Sequence, residues 1–437
     1  MTAVEGTTVQ VDEVEELAAD GLRWLLSAAR STADGALAWP GAPSREETDP
    51  TLYSGTAGIV AVLLEAWRHF DDDYYADLAL RAGRGVAAAV DGHEDDSLYF
   101  GRSGMALVLH TLGDELDDSA CARAAERAMD LVRAHFDGER WGELFELMGG
   151  NGGIGLAALK VGDPGFAVLA VEPYLRTAEK TPWGVTWPFR PGPDTRMHHM
   201  SHGTLGIAFA LARNGHASGR ADLVDLALAG VADVVARDEG GPDGFLVRHS
   251  TPQYLPDLIE PVSYGWCHGP TGDAQIFRLL RDTHGDPAWA ALADRCWHTV
   301  TRSGLPQRLR PGFWDNNGRC CGTAGVLALA CDRIAERTAG QQAYDFARTL
   351  VADLTARALR DGEGARWSNV EHRATPSELA PRTDWAQGSA GIVRELLRFV
   401  RLSRGGDAGY AFAWPDQPRV SAQATDPIRR AGTDVAS

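Results

Sequence analysis

The chain has 437 residues, 44% of them hydrophobic, with 42 Lys and Arg against 60 Asp and Glu for a formal net charge of −18. That apolar fraction fills a large core, no apolar run approaches the ~18 residues that span a bilayer, and the acidic balance repels nucleic acid over most of the surface. Six cysteines are too few for a disulfide framework, and the opening Met-Thr-Ala-Val-Glu-Gly-Thr-Thr lacks the basic and apolar segments of a secretion signal.

A cytoplasmic setting is therefore expected, in which clustered cysteines bind metal or catalyse more often than they pair. Residues 1–14 are expected to be a flexible N-terminus. From residue 15 to 403 a turn of the form Gly-x-x-Gly recurs, beginning at Gly55, Gly101, Gly150, Gly203, Gly269, Gly322 and Gly388. Short apolar runs follow, such as Ile-Val-Ala-Val-Leu-Leu after Gly58 and Met-Ala-Leu-Val-Leu after Gly104. They predict helices opening at each turn.

Successive first glycines lie 46, 49, 53, 66, 53 and 66 residues apart. A period of roughly 50 residues holds two helices of ordinary length with their connections. Second, amphipathic stretches lie between the turns at 76–90, 121–136 and 223–237. The expected fold is all-α, an α/α toroid with about seven inner and seven outer helices forming one domain over 15–403. An open superhelix would need polar capping repeats at its ends, and neither end has that character.

Two zones interrupt the pattern. Residues 162–197 contain several prolines and the string Trp-Gly-Val-Thr-Trp-Pro-Phe from 183 to 189, which predicts a short hairpin or a loop over the mouth of the barrel. Residues 239–262 run into the fifth turn. Long connections on the site side of a helical scaffold are where substrate recognition is usually placed. Beyond the last repeat, residues 404–437 are rich in Gly, Pro, Asp and Arg, with Trp414 the last large apolar residue, and a disordered tail is expected.

Three thiols stand directly ahead of glycine turns: Cys267 in Trp-Cys-His-Gly-Pro-Thr-Gly, and Cys320 and Cys321 in Arg-Cys-Cys-Gly-Thr-Ala-Gly. A toroid brings the starts of its inner helices to one end, so these residues can meet. Structural zinc favours four protein ligands, whereas a catalytic site keeps a fourth position open. Cys267, Cys320 and Cys321 therefore read as the ligands of one catalytic zinc ion, the helix starts and the metal both favouring thiolate. Cys121, Cys296 and Cys331 sit on helical faces and read as small buried hydrophobes.

The seven turns, Trp266-Cys267 ahead of Gly269, and Cys320-Cys321 ahead of Gly322 resemble the lanthionine synthetase C-like cyclases over nearly the whole chain. The family pattern has one Cys at the fifth turn and a Cys-His pair at the sixth, together binding zinc in an α/α toroid. Here Cys321 stands in place of the His, an all-cysteine variation known in relatives fused to a dehydratase. The resemblance implies Michael-type addition of a peptide cysteine thiol to dehydroalanine or dehydrobutyrine, closing a thioether ring in a dehydrated precursor peptide. The dehydration would fall to a separate dehydratase.

By the same resemblance His202, ahead of the fourth turn, matches the catalytic histidine, and an imidazole suits either proton transfer. His198 and His199 nearby read as loop residues. Glu146 stands where the family commonly has Asp, and it would orient His202. His268 replaces the Tyr that follows the first zinc cysteine and would supply a proton or a positive charge. Ser263 stands where the family has an Arg, which removes a cation from beside a developing enolate. Three functions follow: a stand-alone cyclase, a zinc-dependent transferase adding a soluble thiol such as glutathione to dehydroamino acids, and a non-catalytic zinc-binding scaffold of a peptide-modifying complex.

Overall fold

The computed structural model describes residues 10–257, 259–307, 316–368 and 380–418. Among these residues the helices are α1 (Val11–Ser27), α2 (Thr56–Phe70), α3 (Asp73–Ala89), α4 (Arg102–Glu115), α5 (Ser119–Ala134), α6 (Asn151–Lys160), α7 (Pro164–Val171), α8 (Pro173–Thr177), α9 (Thr204–Ser218), α10 (Ala221–Val235), α11 (Pro270–His284), α12 (Pro287–Arg302), α13 (Thr323–Ala335), α14 (Gly340–Arg357) and α15 (Ser389–Ser403). Each first glycine of the repeated turn is the N-cap of an inner helix: α2, α4, α6, α9, α11, α13 and α15. Neighbouring inner helices pack side by side around a circle, and α15 returns to pack on α2.

The apolar runs after the turns explain which helices go inside. In α2 every residue from 56 to 66 is buried, as expected for a helix that is apolar all round. Its partner α3 buries only one stripe, through Ala76, Leu78, Ala79, Ala82, Gly83 and Val86. The outer helices α3, α5, α7, α10, α12 and α14 each pack on the inner helix that precedes them. The seventh outer helix is α1, which packs on α15. The N-terminal helix thus supplies the outer partner that the last repeat lacks, and it begins at Val11, ahead of the expected boundary.

Glycine at the inner N-caps offers no side-chain acceptor, so the first helical N–H groups need another partner. They find it seven residues back. Thr56 donates to the Asp49 carbonyl at 2.7 Å, Arg102 to Asp95 at 2.9 Å, Leu205 to His198 at 3.0 Å, Thr323 to Asn316 at 3.1 Å and Ser389 to Arg382 at 2.9 Å. The segment before each turn therefore folds back onto the helix start. This fold-back also explains the second glycine, because a Cβ on Gly272 would lie 1.8 Å from the Trp266 carbonyl oxygen. The same clash recurs with the carbonyl six residues back at every turn, up to 2.4 Å at Gly58 and Gly325.

The fold-back leaves the residue two places before each first glycine with a free N–H and C=O, and these join repeat to repeat. Tyr53 donates to Tyr99 (2.9 Å), Tyr99 to Met148 (3.1 Å), Met148 to Ser201 (3.4 Å) and Ser201 to Cys267 (3.2 Å). Cys267 then donates to Cys320 (3.2 Å), Cys320 to Ala386 (2.8 Å) and Ala386 back to Tyr53 (3.2 Å). Seven backbone hydrogen bonds close a ring at the helix starts.

The irregular zones differ in part from expectation. Residues 162–197 begin with α7 and α8, the short outer elements of the third pair, and a hairpin then pairs Glu179–Lys180 with Val185–Thr186. Arg196–Met197 pairs with Ser250–Thr251, which ties this zone to residues 239–262. The C-terminal segment departs further. Up to residue 418 it packs against the toroid, with Phe412, Trp414 and Asp416 all buried. Trp414 stacks on Trp385 at 4.3 Å and 11°, Tyr410 lies under the Arg394 guanidinium at 3.8 Å, and Asp416 accepts a hydrogen bond from Tyr99. Cavities flanking this segment are lined by the ends of inner helices, including Lys160, Arg213 and Thr283, so it fills the toroid from the side opposite the glycine turns. Phe412 and Trp414 are buried on either side of the exposed Ala413, and they anchor the segment without a helical pattern. Residues 1–9 and 419–437 lie outside the described residues.

Gly272→Ala is expected to destabilise the protein by about 1–3 kcal/mol, as overpacking against a fixed carbonyl does. Gly92→Ala, where a Cβ meets nothing within 4 Å, is expected to leave the urea midpoint nearly unchanged; equal midpoints for both variants would contradict the packing account.

Candidate metal and proton-transfer site

The ring of backbone bonds brings residues from separate repeats into register. Cys267 and Cys320 are neighbours in it, two places before Gly269 and Gly322, and Cys321 is the next residue toward its turn. The Sγ atoms of the three cysteines lie within 4.8 Å of one another, with Cys267 and Cys321 3.2 Å apart. Sulfurs at about 2.3 Å from a tetrahedral zinc are about 3.8 Å from each other. The three thiols fit that spacing, and their donor type suits zinc. Hydrogen bonds from Cys267 to Cys320 and Cys321, then burial, push the Cys267 thiol well above its ordinary pKa. Three close thiols hold their protons unless a cation replaces them.

The residues one place before the glycines form the adjacent row: His202, His268, Cys321 and Gln387 at four successive turns. His202 Nδ1 lies 2.9 Å from Glu146 Oε1, with Glu146 fully buried and the His202 side chain 29% exposed. The Glu146 carboxylate also accepts from the backbone N–H groups of Met148 and, at 3.2 Å, Gly149. It is thus held by its own turn while it holds the imidazole. Burial opposes protonation of His202, but the Glu146 charge and hydrogen bond, with Cys321, outweigh it and raise the pKa above the ordinary imidazole value.

His268 lies between other imidazoles, its ring centroid 5.6 Å from that of His202, 4.8 Å from His249 and 6.1 Å from His199. Its Nε2 is 3.5 Å from the Ser201 hydroxyl, which donates to the Cys267 carbonyl at 2.9 Å. Ser263 is an element of local structure: its Oγ accepts from the Gly265 N–H at 3.3 Å, as Asp49 and Asn316 do for Thr51 and Gly318 ahead of their own turns.

His198 and His199 lie in a loop as expected, between the Arg196–Met197 strand and α9, and both are fully buried. His199 Nδ1 lies 2.9 Å from Asp273, whereas His198 Nε2 is 3.0 Å from the Thr251 hydroxyl and burial pushes its pKa down to about 3. Sequence reasoning missed Gln387, Tyr53, Asn316, His249 and Asp273 around the site. Gln387 was within its reach, since it occupies the same place in the seventh turn as Cys321 in the sixth.

The sequence matches the family model described as lanthionine synthetase C-like protein over residues 46–244 and 248–347. Among solved structures, nisin cyclase superposes with a TM-score of 0.59 at 15% identity, covering 80% of this chain and 88% of that one. An α-mannanase from Bacteroides thetaiotaomicron superposes with a TM-score of 0.50 at 9% identity, covering 90% of this chain and 96% of its own. At such identities these likenesses speak to the fold, a helical toroid. No curated protein matches the sequence.

Glu146→Gln removes the charge that favours the imidazolium. The His202 pKa, followed by its imidazole NMR signals, is expected to fall relative to the unaltered protein, and an unchanged titration would contradict the pairing.

Proposed function

The chain belongs to the lanthionine synthetase C-like family, and from that premise we propose that it is a zinc-dependent cyclase acting on a dehydrated precursor peptide. It would add peptide cysteine thiols to dehydroalanine or dehydrobutyrine, forming lanthionine and methyllanthionine rings, with a separate dehydratase preparing the substrate. The observation that carries this reading is the convergence of Cys267, Cys320 and Cys321 on one rim, beside a histidine paired with a buried carboxylate.

Cys267, Cys320 and Cys321 would hold the metal. When bound, zinc supplies a Lewis acid that ionises an incoming thiol, and three thiolate ligands keep that sulfur electron-rich and nucleophilic. The new C–S bond forms at the β-carbon, the double bond's electrons move to the α-carbon and carbonyl, and a proton must arrive at the α-carbon. His202 is suited to move that proton. Glu146 fixes its Nδ1 side, so Nε2 is left to face the substrate, and the carboxylate beside it favours the protonated, donating form of the imidazole. His268, 5.6 Å from His202 between ring centroids, is placed to steady negative charge on the enolate side. The thiol loses one proton and the α-carbon gains one, so ring closure leaves the peptide mass unchanged.

Metal analysis of the purified protein is expected to give one zinc per chain, lost in Cys320→Ala and Cys321→Ala. Absence of stoichiometric zinc from the unaltered protein would overturn the reading. Incubation with a dehydrated, cysteine-containing peptide is expected to remove alkylatable thiols without a mass change. His202→Ala is expected to keep its zinc while ring closure slows about 10²- to 10⁴-fold. Adducts carrying the mass of added glutathione, in place of rings, would assign the protein to soluble-thiol transfer; zinc with neither product would leave a scaffold.

A further inference from the structure

Gln387 stands one place before the seventh turn, in the row that contains Cys321. Its Nε2 is 3.3 Å from Cys321 Sγ and 3.2 Å from the Tyr53 hydroxyl. Its orientation is not arbitrary. The amide oxygen accepts from Asn316 Nδ2 at 3.0 Å, and Asn316 is itself fixed because its Oδ1 accepts from the Gly318 N–H at 2.8 Å. With the oxygen so engaged, the amide can present only N–H toward the sulfur. The Tyr53 hydroxyl accepts from the same amide, which holds the amide in place beside the sulfur.

We infer that Gln387, oriented by Asn316, is a positioning residue whose N–H···S bond draws electron density from the Cys321 thiolate and so sets the donor strength of the metal site. The inference rests on the zinc reading above and deepens it. Three thiolates around a dication leave a net charge of −1, one unit more negative than two thiolates and an imidazole. Donor hydrogen bonds to ligand sulfur offset that excess, and outer partners of this kind change metal affinity by about 10- to 100-fold. Gln387 supplies one such bond, on the Cys321 sulfur of the sixth turn.

The test uses the full-length protein loaded with cobalt(II) or zinc. Gln387→Leu removes the donor at similar volume; it is expected to bind zinc about 10-fold or more weakly in competition with a chromophoric chelator. Its thiolate-to-cobalt charge-transfer band is expected to move to lower energy, since an unbonded thiolate is the stronger donor. Gln387→Glu keeps the size and turns an acceptor toward the sulfur, so its affinity should fall further, and it serves if the Leu variant folds poorly. Unaltered affinity and band position in a folded variant would overturn the role of Gln387 while leaving the zinc site intact. Failure of the unaltered protein to bind cobalt or zinc stoichiometrically would instead overturn the site itself.

Discussion

Everything in this molecule is referred to one closed circuit of seven backbone hydrogen bonds, running from Tyr53 through Tyr99, Met148, Ser201, Cys267, Cys320 and Ala386 back to Tyr53. Each bond is worth only about 0.5–1.5 kcal/mol net, but a buried amide left without one costs about 1–3 kcal/mol. The circuit therefore acts as a geometric constraint more than as a reservoir of stability. It requires that every repeat present the same backbone at the same height, which is why carbonyls sit against both glycines of each turn and leave no room for a side chain.

Chemistry is placed by the same constraint. A residue on the circuit is fixed relative to the next repeat, whatever lies between them in sequence, so Cys267 and Cys320 meet across 53 residues of chain period. The row one step closer to the glycines carries His202, His268, Cys321 and Gln387, and it changes from imidazole to thiol to amide over adjacent positions. Glu146 and Asn316 approach that row from the segments folded back before their own turns. A circular scaffold thus turns a linear repeat into a site with a short, ordered perimeter. The aromatic side chains of Tyr99, Trp266, Trp385 and Trp414 pack against one another, with Tyr99 and Trp266 5.7 Å apart.

Much of this was legible in the sequence because it depends on local pattern. Glycine spacing identified the seven inner helices and placed Cys267, Cys320 and Cys321 together, whereas His202 was singled out by the family resemblance alone. What escaped depends on partners distant in sequence. Nothing local to Val11–Ser27 says that it is the outer partner of α15. Residues 405–418 lack helical periodicity, and their anchoring by Arg394, Trp385 and Tyr99 is set by side chains that also lack a local signature. His198 and His199 read as loop residues and lie in a loop, but their burial rests on Thr251 and Asp273, which come from elsewhere in the chain. Ser263, which carries no cation, has a turn-forming hydroxyl that its lone side chain did not announce.

The pairing of α1 with α15 also imposes an order on biosynthesis. Helix α1 ends at Ser27 and α15 begins at Ser389, so α1 is made long before the helix it packs on. At 5–20 residues per second that interval is on the order of 20–70 s, during which the buried face of α1 lacks its α15 partner. Cys267 and Cys320 emerge before the interval ends, so their thiols are available to a metal or an oxidant while the circle is still open. The completed circle is the point at which α1 gains its partner in α15.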